Sequence, residues 1–188
     1  MKLQPALYFS HTLLSQVIQS GDIVIDGTVG NGNDTAFLAD QVGKNGHVYG
    51  FDIQALAIDN TEKRLNAAHL MQPVELFQTG HENIDQVVPI DTPIAAAIFN
   101  LGYLPGGDHQ KITTADTTIP AVKACLSRLT KNGIVALVLY YGHPGGPAEK
   151  QTVIQFVEQL DQKQYTVLNY QFINQVNQPP ILIAIQKR

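Results

Sequence analysis

Seven short runs rich in apolar and β-branched residues punctuate the chain, at residues 22–28, 47–53, 74–80, 94–101, 133–141, 165–174 and 181–187. Helical spacing fills most of the gaps. Ile119, Val122, Leu126 and Leu129 recur at three, four and three, which places them on one helical face. Val153, Phe156, Val157 and Leu160 follow the same spacing, and Pro147 sits well for the first turn of that helix. Leu13, Leu14, Val17 and Ile18 predict an opening helix before Gly21. Continuously apolar strands alternating with helices mean a parallel sheet covered on both faces. The last connection, residues 172–180, is too short for a crossover helix, so the final two strands should form an antiparallel hairpin.

Composition bounds the function. With 188 residues, 44% of them hydrophobic and 15% charged, the chain is expected to form one domain over 1–188 with a full core. A net charge of −4 argues against broad, sequence-independent nucleic-acid binding but allows one local contact site. The single cysteine, Cys125, excludes an intrachain disulfide framework and a cysteine-cluster metal site, and no metal is expected. The longest apolar run, residues 134–141, is eight residues, far short of the roughly 20 needed to span a bilayer. Pro5 and His11 interrupt any signal-like core. A soluble, cytoplasmic protein is expected.

The stretch DGTVGNGNDT, Asp26 to Thr35, joins the first strand to a helix and carries the first candidate chemistry. A phosphate-binding P-loop needs Lys-Ser/Thr after its glycines, where Asn33-Asp34 stands, and a dinucleotide fingerprint needs a third Gly or Ala, where Thr35 stands. Acidic Asp34 near the helix N-terminus would repel a pyrophosphate. The pattern suits a zwitterionic amino acid attached to a nucleoside: carboxylates attract its ammonium and backbone N–H groups receive its carboxylate. Asp52 ends the second strand 20 residues after Gly32, where it can accept hydrogen bonds from both ribose hydroxyls. Together these features point to S-adenosylmethionine. The expected cofactor set is Asp26, Thr28, Gly30, Asn31, Gly32, Asn33 and Asp34 from the loop, Asp52, Ile53 and Gln54 from the second strand's end, His81 and Glu82 after the third, and Asn100. Glu82 could accept from the adenine amine or cap the next helix.

The fourth run ends in Asn100, with Tyr103 three residues on. This Asn-x-x-Tyr turn resembles the Asn-Pro-Pro-Tyr turn of methyltransferases that modify exocyclic amines. There a side-chain carbonyl accepts the amine's hydrogens and aims its lone pair, while the tyrosine stacks on a base. The fifth run ends in Tyr141 and His143, either of which could take or relay a proton. Asn100, Tyr103, Tyr141 and His143 are thus the catalytic candidates. Cys125 lies in a helical apolar phase beside Leu126, as a small core residue would, which disfavours a cysteine-dependent mechanism. His109, Lys111 and Lys150 flank these loops as a local phosphate-contacting rim, and Asn174 lies in the last loop.

DGTVGNGNDT, FDIQ, FNLGYLPGGDHQKITT, GHPGGPAEK and FINQVNQPP together resemble the small rRNA-methylase family of Gram-positive bacteria over nearly the whole chain. The resemblance implies a class I, Rossmann-like methyltransferase fold: α/β, with a seven-stranded, mostly parallel sheet ending in an antiparallel hairpin. It also implies an S-adenosylmethionine-dependent tRNA methyltransferase, converting 5-aminomethyl-2-thiouridine at the wobble position to 5-methylaminomethyl-2-thiouridine. The family's ribosomal label then looks inherited. Gly27 and Val29 stand where Ala and Met are expected in relatives. The implied partner is the tRNA anticodon region, held by loops around 103–118, 142–150 and 172–180; a homodimer would extend that surface. On the residues alone, an rRNA or small-molecule methyltransferase and a non-catalytic nucleotide-binding domain stay open.

Overall fold

The computed structural model describes residues 3–104, 106 and 112–188. In chain order the elements are α1 (Ala6–Leu14), β1 (Ile23–Asp26), α2 (Asn33–Val42), β2 (His47–Phe51), α3 (Ala55–Ala67), β3 (Val74–Phe77), α4 (Ile84–Val87), β4 (Ile94–Leu101), α5 (Ala115–Arg128), β5 (Leu129–Leu139), α6 (Gly146–Glu158), β6 (Tyr165–Tyr170) and β7 (Ile181–Lys187). A three-residue 3-10 turn, His81–Asn83, precedes α4. All seven expected strands form. The opening helix lies earlier than its apolar spacing suggested, because the chain turns at Ser15 and continues irregularly to Ile18.

The strands form one sheet in the order β3-β2-β1-β4-β5-β7-β6. β1 to β5 are mutually parallel; β7 inserts antiparallel beside β5, and β6 pairs antiparallel with β7 at the edge. The expected hairpin is therefore present. The parity of each strand divides the core. Val24, Val48, Ala96, Ile98, Ala136 and Val138 face α1, α2 and α3, whereas Ile25, Phe51, Ala97, Phe99, Val135 and Leu137 face α4, α5 and α6. One expectation fails at the edge. The sheet is covered on both faces only as far as β7, and Val167 and Leu168 of β6 are exposed. The hairpin carries β6 to the sheet's edge, where Tyr165 at one end packs against the α5 side of the core and Tyr170 at the other against Phe9 of α1, while the middle of the strand is left open.

The strand order reverses between β1 and β4, and the chain leaves a crevice outside their carboxyl ends, where open α/β sheets bind ligands. Thr28 closes its floor: the Asn100 backbone N–H donates to Thr28 Oγ1 at 2.6 Å. No helix among the described residues is long and apolar enough to cross a membrane. Cys125 is fully buried on α5, and burial pushes its thiol well up, so it is no nucleophile.

Candidate active site

Above the ends of β1 and β4 opens a cavity of about 760 Å³. Thr28, Gly30, Asn31, Asn33, Asp34, Asp52, Ile53, Gln54, His81, Glu82, Asn100, Tyr103, Tyr141 and His143 all line it. Most of the expected site thus converges from five strand ends, those of β1 to β5. Several expected members do not take their assigned places. Asp26 is fully buried and does not line the cavity. It braces the loop instead, accepting from the Thr28 N–H at 3.1 Å and from Thr35 Oγ1 at 2.7 Å. Gly32 caps α2 in the left-handed region, φ +76°, with Thr61 Oγ1 only 2.7 Å from where a Cβ would sit. Its role is to let the helix start there. Asn174 is exposed and away from the cavity; Gln178 and Pro180 of the same loop reach it. Lys150 stands at a neighbouring hollow, its Nζ 3.7 Å above the Tyr141 ring. His109 and Lys111 lie outside the described residues.

The loop's amides are also more committed than the sequence suggested. The N–H groups of Gly27, Thr28, Val29, Gly30 and Gly32 all donate within the protein, so a ligand carboxylate does not meet them. Asp52 does much of this fastening: its Oδ2 accepts from the Gly30 N–H and its Oδ1 from the Gln54 N–H, each at 2.9 Å. A carboxylate has about four acceptor positions, and two are thereby left for a ligand's hydroxyls. The Glu82 carboxylate folds back over Gly80, accepts from Asn83 Nδ2 at 3.4 Å and lines the cavity.

Among the described residues, three buried side-chain atoms lining this cavity have no hydrogen-bond partner: His81 Nε2, Asn100 Oδ1 and His143 Nε2. Buried polar groups are normally satisfied, so three orphans around one space mark a site that awaits a polar ligand. Chemistry settles which way each faces. His81 Nδ1 lies 3.0 Å from the Gly27 carbonyl and His143 Nδ1 lies 3.0 Å from the Pro144 carbonyl. A carbonyl only accepts, so each Nδ1 carries the hydrogen and each neutral ring keeps a bare lone pair on Nε2. Burial lowers the pKa of His81 and favours that neutral form. The Asn100 NH2 donates to Asp34 Oδ2, which leaves the Asn100 carbonyl as its unpaired end. No lysine or arginine lines the cavity among the described residues, as suits a ligand without a phosphate chain. The ring of acceptors, the acid at the end of β2 and the volume fit S-adenosylmethionine.

A family described as "Putative rRNA methylase" matches residues 48–186. The chain belongs to this family. A chloroplastic tRNA (mnm(5)s(2)U34)-methyltransferase of Arabidopsis thaliana is 40% identical over 187 residues, covering 95% of this chain and 68% of the relative. A "putative rRNA-methylase" of Clostridium thermocellum superposes with a TM-score of 0.97 at 45% identity, and a "putative methyltransferase" of Streptococcus mutans, solved in complex with SAH, with a TM-score of 0.91 at 43% identity. Both cover 100% of this chain and of themselves. This member of the rRNA-methylase family is an S-adenosylmethionine-dependent methyltransferase.

Three features of the site were not read from the sequence. Tyr140 lines the cavity on the same side of the sheet as Asn100, since Asn100 pairs with Val138 and parity carries over to Tyr140. Burial and the nearby Asp34 carboxylate raise its pKa, so it stays a neutral phenol. Tyr141, the residue singled out from the sequence, also borders the cavity but packs against the opposite core. The strand parity around Val138 would have separated the two. Glu149 of the HPGGPAEK segment is buried and accepts from Thr113 Oγ1 and Thr118 Oγ1, both at 2.8 Å, tying α6 to the start of α5. His11 reaches Asp34 from α1, a contact that no local pattern signals.

A Cβ on Gly27 of the first loop would lie 2.1 Å from the buried Phe99 ring. Gly27→Ala should therefore cost about 1–3 kcal/mol by overpacking, even though alanine is the residue expected in relatives. Phe99→Leu should recover most of it. Urea unfolding midpoints of the single and double variants check this; a harmless Gly27→Ala would mean that the ring yields freely.

Asp26, in the same loop, has its pKa pushed up to about 7, first by burial and then by the Asp34 carboxylate. An unfolded aspartate ionises near pH 4. Between that pH and about 7 the folded chain holds a proton that the unfolded chain has released. This group's contribution to stability is thus full below pH 4 and is lost as pH rises through about 7. An asparagine at this position could satisfy both Thr28 and Thr35 without that linkage. The Tm of Asp26→Asn minus that of wild type should grow by on the order of 5 °C from pH 4.5 to 7.5. Parallel Tm profiles would contradict it.

Proposed function

We propose that this methyltransferase acts on tRNA, methylating the amine of 5-aminomethyl-2-thiouridine at the wobble position to give 5-methylaminomethyl-2-thiouridine. The observation that carries the reading is the Asn100 carboxamide, anchored through its NH2 to Asp34 with its carbonyl unpaired at the cavity. Such a carbonyl suits a substrate nitrogen that still bears hydrogens. The 40% identity to a relative named for this wobble nucleoside supports the same class of acceptor.

The cofactor supplies an electrophilic methyl group on a sulfonium. The protein's residues prepare the acceptor. A free alkylamine is mostly protonated at neutral pH and is inert until it loses a proton. His143 Nε2, with its bare lone pair, takes that proton; Tyr103 meets the His143 ring edge-on at 5.7 Å and supports the base. Tyr141 is the weaker acceptor, because it lies on the other sheet face beneath Lys150. Asn100 Oδ1 then accepts an amine hydrogen and holds the nitrogen lone pair in line. Lys150 and the loops at 142–150 and 172–180 offer contacts to the anticodon region around this entrance.

The test is methyl transfer from labelled S-adenosylmethionine to bulk tRNA that carries the aminomethyl but not the methylaminomethyl group, followed by nucleoside mass spectrometry. Incorporation at one wobble uridine is expected. Transfer to rRNA instead, as the family's description would have it, overturns the substrate.

A further inference from the structure

We propose that His11 is a positioning residue for methyl transfer: acting through Asp34, it holds the Asn100 carboxamide with its carbonyl turned to the acceptor amine. The inference rests on the role given to Asn100 above and extends it to a helix outside the cavity's strand ends.

The three side chains form one chain of hydrogen bonds. Asp34 Oδ1 lies 2.6 Å from His11 Nε2, and Asp34 Oδ2 accepts from Asn100 Nδ2. An ionised carboxylate can only accept, so both neighbours must present N–H groups to it. That fixes the proton of His11 on Nε2 and turns the NH2 of Asn100 away from the substrate. A carboxamide's two ends have nearly the same shape, so packing alone would choose weakly between them; a carboxylate chooses decisively. If the amide turned over, its NH2 would face the amine hydrogens and the nitrogen lone pair would lose its guide.

Asp34 needs His11 for this. Its side chain is only 7% exposed, and the carboxylate of Asp26 is close enough to feel its charge. One amide donor is thin compensation for a buried charge. The His11 N–H is the second charge-directed bond and pins the other oxygen. The ring is itself held: it stacks on Phe37 with centroids 4.0 Å apart and planes 2° from parallel. Leu7, one turn earlier on α1, lines the cavity, so α1 turns the face bearing Leu7 and His11 toward the site. His11 does not itself line the cavity. Its influence on the reaction passes through Asp34 and Asn100.

His11→Phe keeps the stack on Phe37 and removes only the N–H; His11→Gln restores a donor at about the same reach. Single-turnover methylation of tRNA at saturating donor is expected to slow about tenfold in His11→Phe, with donor affinity within about twofold of wild type, and to return to within about threefold in His11→Gln. In an Asn100→Ala background His11→Phe should cost nothing further, because the residue it positions is gone. The side-chain amide signals of Asn100 in a nitrogen-15 NMR spectrum give a readout without substrate. The carboxylate-bonded proton should be shifted and slow to exchange in wild type and His11→Gln, and ordinary in His11→Phe. Unchanged Asn100 amide signals in folded His11→Phe, or the same tenfold loss in the Asn100→Ala background, overturn the proposal. A wild-type enzyme that leaves tRNA unmethylated overturns the substrate instead, and the amide signals still decide the role of His11.

Discussion

Asn100→Ala is expected to lower the single-turnover rate of methyl transfer about a hundredfold while leaving cofactor affinity nearly unchanged. The expectation comes from where each end of the side chain is spent. Its NH2 is engaged by Asp34 and its Oδ1 is buried without a partner at the cavity, so the carbonyl has no structural use that would explain its burial. The backbone of Asn100 is independently fastened, its N–H to Thr28 Oγ1 and its strand to Val138 on β5. Removing the side chain should therefore spare the strand end and the loop beside it. The measurement is rapid quench at saturating cofactor and tRNA, with cofactor affinity taken by calorimetry on the same variant. An Asn100→Ala enzyme as fast as wild type would reduce Asn100 to a turn-forming residue and remove the basis for the proposed acceptor chemistry.

Asp52→Ala should weaken cofactor binding about ten- to hundredfold, or about 1–3 kcal/mol, by loss of hydrogen bonds to a charged acceptor. The structure adds a second source of loss. Asp52 bridges the Gly30 and Gln54 N–H groups, so the alanine also releases the turn that shapes the cavity wall. A cofactor analogue lacking the ribose 2′-hydroxyl separates the two. It should bind wild type more weakly than the parent does, and bind Asp52→Ala about as the parent does, because the missing hydroxyl no longer has a partner. Equal loss in both backgrounds would place the ribose elsewhere and leave Asp52 as a loop anchor alone.

Much of this molecule was legible because it is written in short-range terms. The apolar runs became strands since a buried parallel sheet needs continuous apolar residues, and residues 172–180 could only turn back, which made the hairpin. The exclusion of phosphate-rich ligands rested on which residues follow Gly30 and Gly32, a signal that lies entirely within one loop. Cavity-lining residues at strand ends, from Thr28 to His143, were legible for the same reason: parallel strands deliver their carboxyl ends to one edge.

The order of residues alone dictated the set of elements, their alternation, and the residue types gathered at the strand ends. How those side chains are spent was settled by packing in three dimensions. Asp26 and Asp34 look alike along the chain, two carboxylates in one loop, yet one is sealed in as a brace and the other links His11 to Asn100. Tyr140 and Tyr141 are neighbours, yet strand parity sends one toward Asn100 and the other toward the opposite core. His11 lies 23 residues from Asp34 and 89 from Asn100, and no local rule connects them. The cause is common to all three cases. A hydrogen bond is specified by where its partner is in space, and for these groups the partner comes from another element, placed by the packing of the whole sheet.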